Sequence, residues 1–239
     1  MQFNHNSLQY PLSKEKMAAA PNKSGFISMK NKSIFPPYDY PQLIRHLETS
    51  GKSIYGPNFQ IDEIDRPVVY KLLLYFIRDE TNASNEGIDL QKGILLTGKI
   101  GCGKTSLMTL MQTFCADVCQ YNIVSCRDIS FEFSKTGFDI IGKYSRNAFH
   151  RFSEIPKVYC FDDLGLETNI IYGGNSCNIV AEILLSRYDL ILSNKTLTHV
   201  TTNLNSQSLE DTYGYRLSSR MRTMFNLIAF DTNTRDKRQ

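Results

Sequence analysis

The feature that most constrains this chain is one loop, Gly98-Lys99-Ile100-Gly101-Cys102-Gly103-Lys104-Thr105, which satisfies G-x-x-x-x-G-K-[ST] at every fixed position. Its surroundings narrow the reading. Gly93-Ile94-Leu95-Leu96-Thr97 ahead of it has the character of a short buried strand. After it, Leu107, Leu110, Met111, Phe114 and Val118 recur at helical spacing and predict one amphipathic helix over 104–118. Strand, glycine-rich loop and helix in that order make a phosphate cradle. Glycines let the backbone turn with its N–H groups pointing inward, and the helix N-terminus adds partial positive charge. Lys104 is then expected to reach the β- and γ-phosphates of a nucleotide, and the Thr105 hydroxyl to bind Mg²⁺. The expected nucleotide-contacting set is Gly98, Lys99, Ile100, Gly101, Cys102, Gly103, Lys104, Thr105 and Ser106.

Other residues follow in an order that chemistry on a nucleotide requires. Val158-Tyr159-Cys160-Phe161 is an apolar strand pattern ending in Asp162-Asp163. Ligands of a parallel sheet bind at the carboxyl ends of its strands. Asp162 is therefore expected to hold Mg²⁺ beside Thr105, and Asp163 to orient and deprotonate an attacking water. Two adjacent carboxylates favour hydrolysis over binding alone. Asn203 closes Thr201-Thr202-Asn203 at the tip of another strand pattern, where an amide can hold that water. Arg216 and Arg220 are four apart and share one helix face. Arginine so placed stabilises charge on a transferring phosphoryl group, often from a neighbouring subunit. Arg235, near the end of the chain and after Asp231, reads either as a side chain that touches nucleotide in cis or as part of a basic tail.

Between these motifs strands and helices alternate. Strand patterns fall at 93–97, 122–126, 157–161, 199–202 and 226–230, and helical ones at 64–78, 128–135, 139–149, 178–192, 206–211 and 216–224. That alternation implies an α/β architecture with a mainly parallel sheet. Residues 1–50 are rich in Asn, Ser, Lys and Pro, with at most a short helix near Gln42 to Leu47, so 1–53 reads as a poorly structured or partner-docking arm and 54–239 as the core. Net charge is +3, spread as a mildly acidic middle between two basic ends. Lys135, Lys143, Arg146 and Arg151 flank two predicted helices and are candidates to face nucleic-acid phosphates. No run approaches the ~18 apolar residues of a membrane span, and the first residues lack a basic-then-apolar leader. The six cysteines form no C-x-x-C and no paired metal spacing, although Cys115 and Cys119 are expected on one helix. A soluble, cytoplasmic protein with reduced thiols and no membrane partner is expected.

In sequence order, GKIGCGKT, VYCFDDLG, TTN and GYRLSSRMR resemble the AAA+ ATPases of the DnaC-like helicase-loader and IstB-like transposition-helper group. Asp162-Asp163-Leu164-Gly165 and the Gly214 to Met221 pattern carry most of the specificity, and the resemblance spans about Ile54 to Arg238. It implies an AAA+ P-loop NTPase of the ASCE type, with a parallel sheet sandwiched by helices and a truncated or absent lid. ATP and Mg²⁺ would be the cofactors, with hydrolysis to ADP in a nucleotide-dependent homo-oligomer. By position it makes Asn203 the sensor-one residue, Arg220 the arginine finger, Arg216 its companion and Arg235 the sensor-two residue. The implied partner is a replicative helicase or, alternatively, a transposase, with single-stranded DNA. A small-molecule or nucleotide kinase is the competing reading of another class, since it too begins with a phosphate loop.

Overall fold

The computed structural model describes residues 38–116, 119–167, 170–172, 175–194 and 196–238. Five parallel strands form the central sheet: β1 (Gly93–Thr97), β2 (Tyr121–Ser125), β3 (Val158–Leu164), β6 (Thr198–Thr202) and β7 (Phe225–Ala229), in the order β2-β3-β6-β1-β7. Alternate side chains leave opposite faces of a strand, and here both faces are covered. Ile94, Leu96 and Cys160 enter one core, with α1 (Tyr40–Tyr55), α2 (Arg66–Phe76), α3 (Glu80–Asn85) and α4 (Lys104–Met111). Leu95, Tyr159, Phe161 and Val200 enter the other, with α5 (Cys126–Thr136), α6 (Asp139–Tyr144), α7 (Ile179–Asn194) and α8 (Ser206–Met224). Near-continuous burial of β1 and β6 is what a parallel sheet between two helical layers requires.

Several elements depart from the sequence reading. α1 spans the anticipated boundary at residue 53: Asp39 accepts from the Gln42 N–H at 3.0 Å, Pro41 occupies the first turn, and Leu43 and Leu47 are buried in the same core as α2. Proline at a helix start is tolerated because its missing N–H would be unpaired there anyway, so Pro41 begins a helix rather than ending an arm. Expectations about residues 1–37 fall outside the described residues. α4 is shorter than anticipated and passes into a 3₁₀ turn at Gln112–Phe114. The Gln120 side chain donates to the Gln112 and Cys115 carbonyls at 2.9 and 3.1 Å, supplying partners for carbonyls a continuing helix would have used. Cys115 and Cys119 therefore share no helix; all six cysteines are free thiols.

α6 ends at Tyr144, not near residue 149, because the Tyr144 carbonyl accepts from the Arg187 guanidinium at 2.9 Å. The two helices anticipated at 206–224 are one element broken at Gly214, whose φ of +78° lies in the region that favours glycine. An antiparallel hairpin, β4 (Ile170–Tyr172) with β5 (Asn175–Cys177), intervenes between β3 and α7 and was not anticipated.

Two buried cationic-type side chains tie the layers together. Arg187 of α7 is completely buried and donates to Thr198 Oγ1 at 2.7 Å and to the carbonyls of Tyr144, Leu197 and Lys157 at 2.9, 3.0 and 3.1 Å. Its guanidinium carbon lies 5.3 Å from the Tyr159 ring centre. His199 of β6 sits among Tyr75, Phe76 and Tyr121, and its Nδ1 accepts from the Ile94 N–H at 3.1 Å. Burial, reinforced by the Arg187 charge, lowers its pKa to about 3 from 6.5. A depressed folded-state value means the unfolded chain binds the proton more readily, so the stabilisation is complete above pH 6.5 and is lost as pH falls from 6.5 towards 3. Between pH 7.5 and 5.5 the protein should lose about 1.4 kcal/mol through this group. His199→Asn, which keeps an acceptor and cannot titrate, should remove that part of the slope in thermal melts. An unchanged slope would assign the pH dependence to other groups.

Candidate nucleotide-binding site

A cleft of about 900 Å³ opens at the carboxyl ends of the strands. The phosphate loop forms its floor. Gly103, at φ +102°, immediately precedes α4, so the first-turn N–H groups of α4 face the cleft. Lys104 is buried, its Nζ donating to the Gly98 and Lys99 carbonyls at 3.0 Å each and to Asn203 Oδ1. These neutral acceptors hold the ammonium across the loop mouth. Asn203 and Lys104, distant in sequence, are thus brought together.

The acidic strand end has a geometry that strand alternation alone would forbid. Consecutive strand residues point to opposite faces, which would send Asp162 and Asp163 apart. The pairing of β3 with β6 shifts between Phe161 and Leu164, and Asp163 takes a left-handed φ of +57°. This bulge inserts one extra residue into β3 and leaves Asp163 lining the cleft. Asp162 accepts from Thr105 Oγ1 through both oxygens at 2.9 and 3.0 Å. Thr201 Oγ1 donates to Asp162 Oδ1 at 2.6 Å and accepts from the Asp163 N–H at 2.9 Å. One buried hydroxyl therefore ties the Asp162 carboxylate to the Asp163 backbone. Sequence reading assigned Thr201 no role; a hydroxyl two residues before Asn203 on a wholly buried strand was the available signal. Burial and the neighbouring Asp162 charge raise the Asp163 pKa, with Lys104 and Arg238 pulling it down. The net effect makes Asp163 a stronger base than an ordinary aspartate.

The segment after β7 crosses the loop as turns. The Lys237 N–H donates to the Gly101 carbonyl at 3.0 Å, and the Asp236 carboxylate fills the space that a Cβ at Gly101 would need. Thr234 Oγ1 donates to Asp65 Oδ1 at 2.8 Å, and Lys237 Nζ pairs with Asp65. Arg235 lines the cleft, but its guanidinium is paired with Asp62 at 3.1 Å. Lys237 and Arg238 line the cleft as well; neither was singled out in the sequence, where they read as an ordinary basic tail. On the far wall, Phe59, Ile61 and Val69 give the cleft an apolar side opposite its charged floor.

No protein-family model and no curated protein sequence matches the chain. Solved structures do. A candidate primosome component from Streptococcus pyogenes serotype M3 superposes with a TM-score of 0.51 at 18% identity, over 78% of this chain and 91% of that one. The DnaC helicase loader superposes with a TM-score of 0.51 at 16% identity, over 73% of this chain and 94% of that one. The fold is that of the DnaC helicase loader and of the primosome component. The parallel sheet with helices on both faces agrees with the sequence expectation.

In this fold the anticipated arginines of α8 lie away from the protomer's own cleft. Arg216 is exposed, Arg220 stacks 4.9 Å from the Tyr188 ring centre, and neither lines the cleft. The Thr105 hydroxyl and the Asp162 carboxylate are two hard oxygen donors held side by side. That set suits Mg²⁺, which keeps water and phosphate oxygens in its remaining positions. Among the described residues no group of three or more His, Cys, Asp or Glu could hold a metal by itself. No helix among the described residues is long and apolar enough to cross a membrane.

Proposed function

We propose that the chain is an ATP-hydrolysing motor of the helicase-loader type, using ATP with Mg²⁺ and acting on a replicative helicase. The observation that carries this reading is the convergence in one cleft of Lys104 with Asn203 and of Thr105, Thr201, Asp162 and Asp163. A bound Mg²⁺ would neutralise charge on the phosphate oxygens. Lys104 and the loop N–H groups hold the phosphates, and Asp162 with Thr105 holds the metal. Asn203 orients water, and Asp163 takes its proton, a role its raised pKa favours. Phe59, Ile61 and Val69 offer the base an apolar wall. Arg216 and Arg220, which do not line their own protomer's cleft, complete a neighbouring protomer's site, so hydrolysis depends on assembly.

Single-stranded DNA is the proposed second ligand. Phe131, Phe138 and Phe152 are exposed on and beside α5 and α6, with Arg127 5.3 Å over the Phe131 ring and Arg151 5.1 Å over Phe152. Exposed aromatic rings interleaved with arginine suit stacking on unpaired bases. Lys143, by contrast, is engaged by Glu132, which leaves Lys135, Arg146 and Arg151 as the phosphate-facing candidates.

Asp163→Asn tests the hydrolytic reading. It should keep nucleotide affinity within a few-fold and lower ATP turnover by roughly 10²–10⁴-fold, the range of a lost general base. Turnover equal to the parent protein would remove Asp163 from the mechanism and favour a nucleotide-gated binding module.

A further inference from the structure

Immediately after the acidic pair the chain makes a tight turn, with left-handed Asp163 and Gly165 closed by the Leu166 N–H donating to the Asp163 carbonyl at 3.1 Å. A Cβ at Gly165 would stand 2.7 Å from Leu204, so the turn is packed directly on the segment leaving Asn203. Glu167 follows. One of its oxygens accepts from the Gly165 N–H at 2.7 Å; the other accepts from Asn178 Nδ2 at 3.2 Å and from the Tyr213 hydroxyl. Asn178 in turn caps α7, its Oδ1 accepting from the Ala181 N–H at 3.0 Å. One half-buried carboxylate thus joins the turn behind Asp163, the start of α7 and α8.

The contact on α8 falls at a significant place. Tyr213 is the residue before Gly214, where α8 breaks, and the half beyond the break carries Arg216 and Arg220. A glycine with positive φ between two helical segments is a position that can absorb a change of backbone angle. Burial and the Glu167 charge raise the Tyr213 pKa, which keeps the phenol a donor.

We propose that Glu167 and Tyr213 are positioning residues that link the turn behind Asp163 to the arginine-bearing half of α8, so that the state of a protomer's own cleft sets the arginines it presents to its neighbour. This rests on the reading of Arg216 and Arg220 as acting between subunits. Nucleotide entering the cleft changes the charge facing Asp163, two residues from the Gly165 N–H that Glu167 holds. A shift of that N–H moves the carboxylate, and Tyr213 carries the shift to the break at Gly214.

The test uses full-length chains in mixed assemblies. Tyr213→Phe removes only the hydroxyl. It should leave affinity for a fluorescent ATP analogue within about twofold and lower turnover by about tenfold or more, the factor of a lost hydrogen bond to a charged group expressed in a barrier. Mixed, at a nucleotide concentration that saturates even the weakened cleft, with Lys104→Ala protomers, which are then loaded and present set arginines while turning over little themselves, Tyr213→Phe should recover turnover. Glu167→Gln, which keeps an acceptor for Gly165 without the charge, should behave in the same way and guards against a folding defect in one variant. Arg220→Ala in the same mixture is the control. Recovery of Arg220→Ala without recovery of Tyr213→Phe or Glu167→Gln overturns the link while the intersubunit reading stands. Failure of Arg220→Ala to recover overturns that reading, and the link with it. Unchanged turnover in both Tyr213→Phe and Glu167→Gln alone also overturns the link.

Discussion

Lys104→Ala should lower nucleotide affinity by about 10²–10⁴-fold, measured by titration of a fluorescent ATP analogue. The estimate follows from the loss of two charge-assisted contacts to phosphate oxygens at about 1.5–3 kcal/mol each, with 1.4 kcal/mol per factor of ten. Lys104 is nearly the only part of the cradle whose contribution cannot be made up by the backbone. The first-turn N–H groups of α4 remain after the substitution, so residual binding should persist at high nucleotide concentration. The ammonium is already desolvated and held by Gly98, Lys99 and Asn203, which means little further ordering is needed when phosphate replaces those acceptors. Affinity unchanged by the substitution would mean that the loop does not bind phosphate.

The second large effect concerns stability. Arg187→Met should destabilise the fold by about 3–5 kcal/mol, since four buried acceptors lose their donor at about 1–3 kcal/mol each and relief of the guanidinium's desolvation offsets part of that, and so lower the melting temperature by about 6–20 °C for a domain of this size. The methionine fills much of the volume but donates nothing. The carbonyls of Tyr144, Lys157 and Leu197 and the Thr198 hydroxyl would then lack the donor that now serves all four. Arg187→Lys should recover only part of the loss, since a single ammonium cannot reproduce the planar fork. The present arrangement carries its own cost: no carboxylate faces the guanidinium among its hydrogen-bond partners, and burial lowers its pKa to about 10. A melting temperature within about 2 °C of the parent would show that the lost bonds and the relieved desolvation cancel.

Much of the fold was legible because its signals are local. The phosphate loop is a contiguous motif, β1 and β3 are short apolar runs, and the fixed order of Lys104, Asp162 and Asn203 places three strand ends at one edge of a parallel sheet. What escaped the sequence depends on contacts between distant segments. α1 buries only Leu43, Leu47 and Gly51 from a largely polar run, so its pattern resembles a solvated arm until α2 and α4 lie against it. The ends of α4 and α6 are set by Gln120 and Arg187, side chains that reach carbonyls from another element. An arginine on an amphipathic helix reads as surface; only the fold surrounds Arg187 with carbonyls. The bulge at Asp163 leaves no trace in composition, because its left-handed residue is an aspartate and not a glycine. The functional weight of Thr201 and Glu167 likewise lies in what they touch.

The strap after β7 has a consequence for synthesis. The walls of the cleft come from residues 62–65, 98–105 and 234–238, and contacts of such sequence separation form late because loop closure must precede them. A chain emerging from the ribosome can pair β1 with its helices, yet the mouth of the cleft stays open until residue 238 is free. Nucleotide capture in its final geometry is thereby reserved for chains whose translation has passed that point, and ATP stabilises chains that carry the strap in preference to shorter ones.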